Sequence, residues 1–201
     1  MIKSQLISTA FFTDKNDNWS PSESPFLINN KKYKVITMNQ IHSDIIKVVS
    51  PMRKNYKCDG LYTTKKEHIL CVKTADCVPI LIHSEIGVGA IHAGWRGLSQ
   101  NILGNFFENE KYYSDNLKVS IGPHARKCCY EVGKEFERIF PNHILTNHKG
   151  RYLDMSSYVS DYLEKLNIEF EDVNVCTICN DRYFSYRQDK TDDRQYSFLC
   201  I

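Results

Sequence analysis

The chain has 201 residues, 42% of them hydrophobic and 25% charged, with 26 Lys and Arg against 24 Asp and Glu for a formal net charge of +2. These proportions fit a folded chain of about one domain that can bury its apolar surface without disulfide staples, and they speak against disorder. The basic excess is small and spread along the chain, which argues against a nucleic-acid partner.

No apolar run of signal-peptide length precedes Asp14 and Lys15, so the expected setting is a reducing cytoplasm. Asp14 to Pro25 is polar, holds two prolines and reads as a loop. Tyr33–Met38 and Ile45–Val49 read as strands on either side of the polar segment Gln40-Ile41-His42-Ser43-Asp44. Pro51 to Lys57 reads as a loop, closed by the turn signal Cys58-Asp59-Gly60 and followed by a short strand, Leu61–Thr64. Ile69–Val72, Val78–Ile82 and Val88–Ile91 are rich in Val and Ile and read as buried strands. None approaches the length of a membrane span, so no membrane partner is expected. A helix is expected over about Ser99 to Asn109, a strand over Leu117–Ile121 and a helix over Glu131–Phe140, stopped by Pro141. Ser156–Leu166 places Val159, Tyr162, Leu163 and Leu166 at helical spacing behind Asp154, a capping residue. Strands over Asp172–Cys176 and Gln195–Cys200 close the series. Strands outnumber helices, and the helices intervene irregularly, which predicts an α+β fold in a single domain, residues 1–201.

Eight Cys and seven His are the unusual counts. Disulfide scaffolds are short and poor in core, so these thiols are expected to be reduced. Cys77 follows Asp76 at the start of a predicted buried strand; it is either a small core residue or a functional group held at a loop edge. His92 ends another strand and leads into Gly94-Trp95-Arg96-Gly97. There Arg96 either grips a phosphate or carboxylate or simply stacks on Trp95. His42 sits between two strands. If the fold gathers His42, Cys77 and His92, two imidazoles and a thiolate suit zinc or copper, and three protein ligands leave a fourth position open. Cys176-Thr177-Ile178-Cys179 has knuckle spacing but no second such pair, so core or adventitious spacing is expected rather than a zinc knuckle or redox pair. His83-Ser84-Glu85 lacks the Pro-Cys-x-x-Cys partner of zinc nucleobase deaminases, since Val175 precedes Cys176. There is no Gly-x-Gly-x-x-Gly and no P-loop.

Taken in order, these segments resemble the YfiH-type family, described both as multicopper polyphenol oxidase (laccase-domain) proteins and as purine nucleoside phosphorylases. The matching blocks begin with Asn39-Gln40-Ile41-His42-Ser43, Cys58-Asp59-Gly60-Leu61-Tyr62-Thr63-Thr64 and Thr74-Ala75-Asp76-Cys77-Val78-Pro79. They continue through Ile91-His92-Ala93-Gly94-Trp95-Arg96-Gly97, Ser120-Ile121-Gly122-Pro123, Cys128-Cys129-Tyr130-Glu131-Val132-Gly133 and Phe184-Ser185-Tyr186-Arg187. Ser43 stands where the family usually has Gly, and Gln188 where a second Arg is common. The resemblance implies a four-layer α/β/β/α sandwich with mixed sheets. It also implies a metal site of His42, Cys77 and His92, and a cytoplasmic enzyme, monomer or homodimer, that phosphorolyses adenosine, inosine or methylthioadenosine and deaminates adenosine.

Those reactions set physical demands. Deamination needs an activated water, which a zinc with an open position supplies, and a carboxylate, for which Asp76 is the candidate. Phosphorolysis breaks a glycosidic bond and needs a cationic cradle for phosphate: Arg96 first, then Lys73 and Arg187, with Tyr130 stacking on the base. A trinuclear copper cluster needs paired His-x-His motifs, and this chain has none, although one copper could take the zinc position. Two other readings use the same residues. One is a Cys77 nucleophile with His92 as base, hydrolysing a cell-wall precursor. The other is a non-enzymatic metal-binding domain.

Overall fold

The computed structural model describes residues 1–21, 26–28 (backbone only), 31–50, 55–109, 112 and 116–201. In chain order the strands are β1 (Ile2–Lys3), β2 (Ala10–Phe12), β3 (Phe26–Ile28), β4 (Lys31–Ile36), β5 (Ile46–Val48), β6 (Gly60–Thr63) and β7 (His68–Thr74). Then come β8 (Val78–His83), β9 (Val88–Ala93), β10 (Lys118–Ile121), β11 (Ile144–Asn147), β12 (Gly150–Leu153), β13 (Glu169–Asp172) and β14 (Gln195–Cys200). The helices are α1 (Trp95–Ser99), α2 (Ile102–Phe107), α3 (Phe136–Ile139), α4 (Met155–Lys165) and α5 (Tyr186–Asp189).

Two six-stranded mixed sheets form the α+β body, ordered β1-β2-β14-β7-β4-β3 and β13-β10-β8-β9-β6-β5, with β11-β12 as a separate hairpin. The second sheet explains the continuous apolar runs of the sequence. In β8, Leu81 faces the first sheet and packs with Phe12, Leu70, Val72 and Leu199. Its neighbours Ile80 and Ile82 face the other way, onto Leu98, Ile102, Phe106 and Val159 of the helical layer. Successive side chains of a strand alternate faces, so a strand buried on both must be apolar throughout. At about 25 cal/mol per Å² of apolar area, each fully buried Leu or Ile contributes roughly 2 kcal/mol.

Several boundaries differ from expectation for local reasons. The helix expected over Ser99–Asn109 is two short ones, α1 and α2, broken at Asn101, whose φ of 69° is left-handed. Arg96 therefore lies in the first turn of α1 rather than in a Gly-bounded turn. Gly97 serves close packing there, because a Cβ would come within 2.8 Å of the Ser43 carbonyl oxygen. The helix expected over Glu131–Phe140 shrinks to α3. Glu131 bridges to Tyr152, and the Val132 N–H donates to the Arg151 carbonyl, so this stretch is drawn onto the β11-β12 hairpin. The strand expected over Asp172–Cys176 is β13 instead. It runs parallel to β10 and ends where Asn174 turns left-handed (φ 55°) under the Asp172 carboxylate. Helix α4 matches its pattern, with Asp154 accepting the Ser157 N–H. β1, β2, β3 and the β11-β12 hairpin were not expected. The loops expected over Asp14–Pro25 and Pro51–Lys57 lie in part, at 22–25 and 51–54, outside the described residues.

A candidate metal and nucleoside site at the end of the second sheet

The site forms where the chain crosses from one sheet to the other. β7 ends at Thr74 in the first sheet, and β8 begins at Val78 in the second. Thr74-Ala75-Asp76-Cys77 spans the gap, with a cis peptide at Ala75–Asp76. β8 and β6 both run antiparallel to β9, so their first residues flank its last ones: Val78 pairs with Ala93, and Gly60 with Ile91. Cys77 and Asp59 thus lie at one end of the sheet beside His92.

The third member arrives on the loop between β4 and β5. His42 has a left-handed backbone (φ 57°), and the loop is held by a single buried carboxylate. Asp59 accepts the N–H groups of Ile41 (3.2 Å), His42 (3.0 Å) and Ser43 (2.7 Å), and the Ser43 hydroxyl (2.7 Å). Asp59 also meets His92 Nδ1 at 2.8 Å. Burial alone would raise the Asp59 carboxyl, but the bonds from His92 and Ser43 outweigh it and hold it at about 2. The carboxylate is therefore ionised and takes the Nδ1 proton of His92, so Nε2 is the ring nitrogen that could ligate a metal once its own proton is lost.

The Cys77 Sγ and one ring nitrogen each of His42 and His92 lie within 4.8 Å of one another. The two imidazoles meet edge to face, with centroids 4.9 Å apart. Burial pushes the Cys77 thiol up, but His92 and His42, by charge and hydrogen bonds, bring it down to about 6. Burial pushes His92 down, and the Cys77 thiolate and Asp59 lift it to about 9. Without a metal the pair rests as thiolate and imidazolium. Two imidazoles and one thiolate are a donor set that fits zinc, and equally copper, with one position open. Gly94 leaves the room: a Cβ there would sit 2.9 Å from Cys77 Sγ and 3.3 Å from His42 Cδ2.

These residues open into a cavity of about 760 Å³ that also takes in Lys73, Asp76, Arg96, Tyr130 and Arg187. Every candidate residue named from the sequence therefore borders one space. The Arg96 guanidinium stacks on Trp95 at 4.5 Å, as one of its two sequence readings has it, and it also lines the cavity. Arg187 stacks on Tyr130 at 4.9 Å and donates to the Glu131 carbonyl at 2.9 Å. Burial, together with nearby Cys77, pushes the Tyr130 hydroxyl up to about 12, so it stays a donor. Asp76 ties the start of α5 in place: its oxygens accept from the Thr177 hydroxyl (2.7 Å) and the Arg187 N–H (2.8 Å).

Sequence reasoning missed Asp59, which anchors the His42 loop and His92, and it missed Lys190 and Arg194 in the cavity lining. With them the cavity lining carries five cations, Lys73, Arg96, Arg187, Lys190 and Arg194, against the carboxylates of Asp76 and Asp192. The buried hydroxyl of Thr74, another lining residue, has no hydrogen-bond partner among the described residues. The signal for Asp59 was its place in an Asp-Gly pair before a strand. For Lys190 and Arg194 the sequence offers none.

A family model described as multi-copper polyphenol oxidoreductase laccase matches residues 22–201. The chain is 34% identical over 173 residues to a protein of Aquifex aeolicus named purine nucleoside phosphorylase, covering 85% of this chain and 84% of that one. It is 32% identical over 198 residues to one of the same name from Clostridium acetobutylicum, covering 92% and 82%. Among solved structures, a Neisseria meningitidis protein superposes with a TM-score of 0.74 at 25% identity, covering 84% of this chain and 75% of that one. YlmD of Geobacillus stearothermophilus superposes at 0.73 and 25%, covering 83% and 73%. The chain belongs to the YfiH-type family, the one whose model is described as multi-copper polyphenol oxidoreductase laccase.

Proposed function

We propose that the protein is a purine nucleoside phosphorylase that also deaminates adenosine, with adenosine, inosine and methylthioadenosine as its substrates and residues 1–201 as one cytoplasmic catalytic unit, monomer or homodimer. The observation that carries this reading is one cavity whose lining gathers a thiolate, two imidazoles and five cations. The names of the Aquifex and Clostridium relatives support it. His42, Cys77 and His92 would hold a zinc ion, and bound zinc supplies a Lewis acid able to lower the pKa of a coordinated water to about 7.

The remaining work falls to the chain. Arg96, which has no carboxylate partner among the described residues, binds phosphate with Lys73 and Arg187. The base stacks on Tyr130, whose ring is already backed by Arg187. Asp76, fixed by Thr177 and the Arg187 backbone, presents a carboxylate at the cavity edge for proton transfer during deamination. The test is zinc-loaded protein with adenosine, with and without phosphate, resolved by chromatography. Adenine should form only with phosphate and inosine without it; turnover of no nucleoside refutes the proposal.

A second reading is favoured by the low Cys77 thiol. In metal-free protein Cys77 is a thiolate with His92 beside it, the arrangement of a Cys-His hydrolase. Hydrolytic activity that survives complete zinc removal would favour it over the nucleoside reading. Copper in the same position would account for oxidase activity that tracks copper loading.

A further inference from the structure

Cys128, Cys129, Cys176 and Cys179 lie apart from the cavity's triad, and all four thiols are free. Their sulfurs fall within 4.8 Å of one another, with Cys128 and Cys179 at 3.9 Å. A disulfide would need about 2.05 Å. Four thiolates at about 2.3 Å from a tetrahedral zinc stand roughly 3.8 Å apart. The two cysteine pairs lie on loops that leave the same end of neighbouring parallel strands, β10 and β13. The loops are stitched by the backbone: His124 N–H to the Val175 carbonyl (3.2 Å) and Thr177 N–H to the His124 carbonyl (3.0 Å). Cys176 is buried while Cys128 and Cys179 face solvent, so the cluster is both built and reachable.

We propose that these four cysteines form a second metal site, a closed tetrathiolate for zinc or an ion of the same class. With four protein ligands it has no open position and acts as a structural clamp, unlike the three-ligand set of His42, Cys77 and His92. The clamp bears on the cavity through adjacent residues. Cys129 precedes Tyr130, and Cys176 precedes Thr177, which holds Asp76.

The test uses full-length protein prepared with zinc under reducing conditions. Wild type should hold about two zinc ions per chain and the Cys176→Ser/Cys179→Ser variant about one. Should that variant fail to fold, Cys77→Ala protein carries the test alone. It should keep about one zinc ion per chain, with an X-ray absorption shell of sulfur only at about 2.3 Å. Three results would each overturn the proposal: a Cys77→Ala protein with far less than one zinc, a shell dominated by nitrogen or oxygen, or a loss of two titratable thiols, which marks a disulfide.

Discussion

Replacing Asp59 by Asn keeps the shape of the side chain and removes its charge and one acceptor oxygen. The native carboxylate takes five donors: the Ile41 and Ser43 N–H groups and the Ser43 hydroxyl on one oxygen, the His42 N–H and His92 Nδ1 on the other. An amide can serve only one of these sets. If its oxygen faces Ser43, its NH2 faces His92 Nδ1, which must give up its proton to accept. The proton moves to Nε2, and the metal-facing nitrogen can no longer ligate. If its oxygen faces His92, the tautomer survives, but the Ile41 and Ser43 N–H groups point at an NH2. Each unsatisfied buried donor costs about 1–3 kcal/mol. The lost preference for the ionised form is of the same order: a carboxyl drawn from 3.8 to about 2 is worth about 2.5 kcal/mol above pH 4. The expected outcome is a loss of about 3 kcal/mol in urea unfolding of the metal-free protein, or a 10- to 100-fold loss of zinc affinity against a chromophoric chelator, at roughly the level of lost partners to metal-bound His. A stability change below about 1 kcal/mol together with unchanged zinc affinity would refute the role given to Asp59.

Cys77→Ala should abolish zinc binding at the triad and nucleoside turnover while the protein stays folded by circular dichroism; turnover at the wild-type rate would remove Cys77 from the site. Arg96→Ala should raise the KM for phosphate about 10-fold or more, the cost of roughly one charged hydrogen bond, and leave phosphate-independent deamination intact. Equal losses in both reactions would deny Arg96 its phosphate. Gly94→Ala drives a methyl to 2.9 Å from Cys77 Sγ and should weaken zinc binding with little loss of fold, measured by the same chelator competition. In metal-free protein the Cys77 thiolate absorbance should titrate near pH 6 rather than near 9. The depressed thiol contributes stability that fades as pH falls through about 6, and the raised His92 contributes stability that fades as pH rises through about 9. Metal-free stability from this pair should therefore peak between those values, and a profile without that plateau would count against the ion pair.

The strands of the second sheet were legible because both their faces are buried, which leaves an unbroken run of Val and Ile. The strands of the first sheet were harder. β2 is only three residues long and depends on β14, nearly the whole chain away, for its pairing. Helix ends misled wherever a distant partner decided them: Glu131 and Val132 have helical neighbours in sequence but bond to Tyr152 and Arg151. His42, Cys77 and His92 could be named because each stands at a strand edge in a recognisable block. Asp59 looked like turn chemistry, since nothing local reveals five donors converging from two other segments. Ser43, a departure from the family's usual Gly, supplies two of those donors. The cysteine cluster was passed over because Cys128-Cys129 does not resemble a Cys-x-x-Cys. Only the parallel pairing of β10 with β13 brings it beside Cys176 and Cys179.

The crossing of the chain from β7 to β8 has a mechanical meaning. Lys73 lies near the end of β7 and Arg194 precedes β14, the paired central strands of the first sheet, while Cys77 and His92 lie at the end of the second. The cavity thus lies at a seam, lined by residues of both leaves. The interlayer of Phe12, Leu70, Leu81 and Leu199 acts as a spacer that sets the distance between them. A protein interior is close-packed and yields little, so that spacing is fixed by side chains well removed from any reacting atom. Trimming the spacer would let the leaves settle toward each other and would change the width of the cavity before it registered as unfolding.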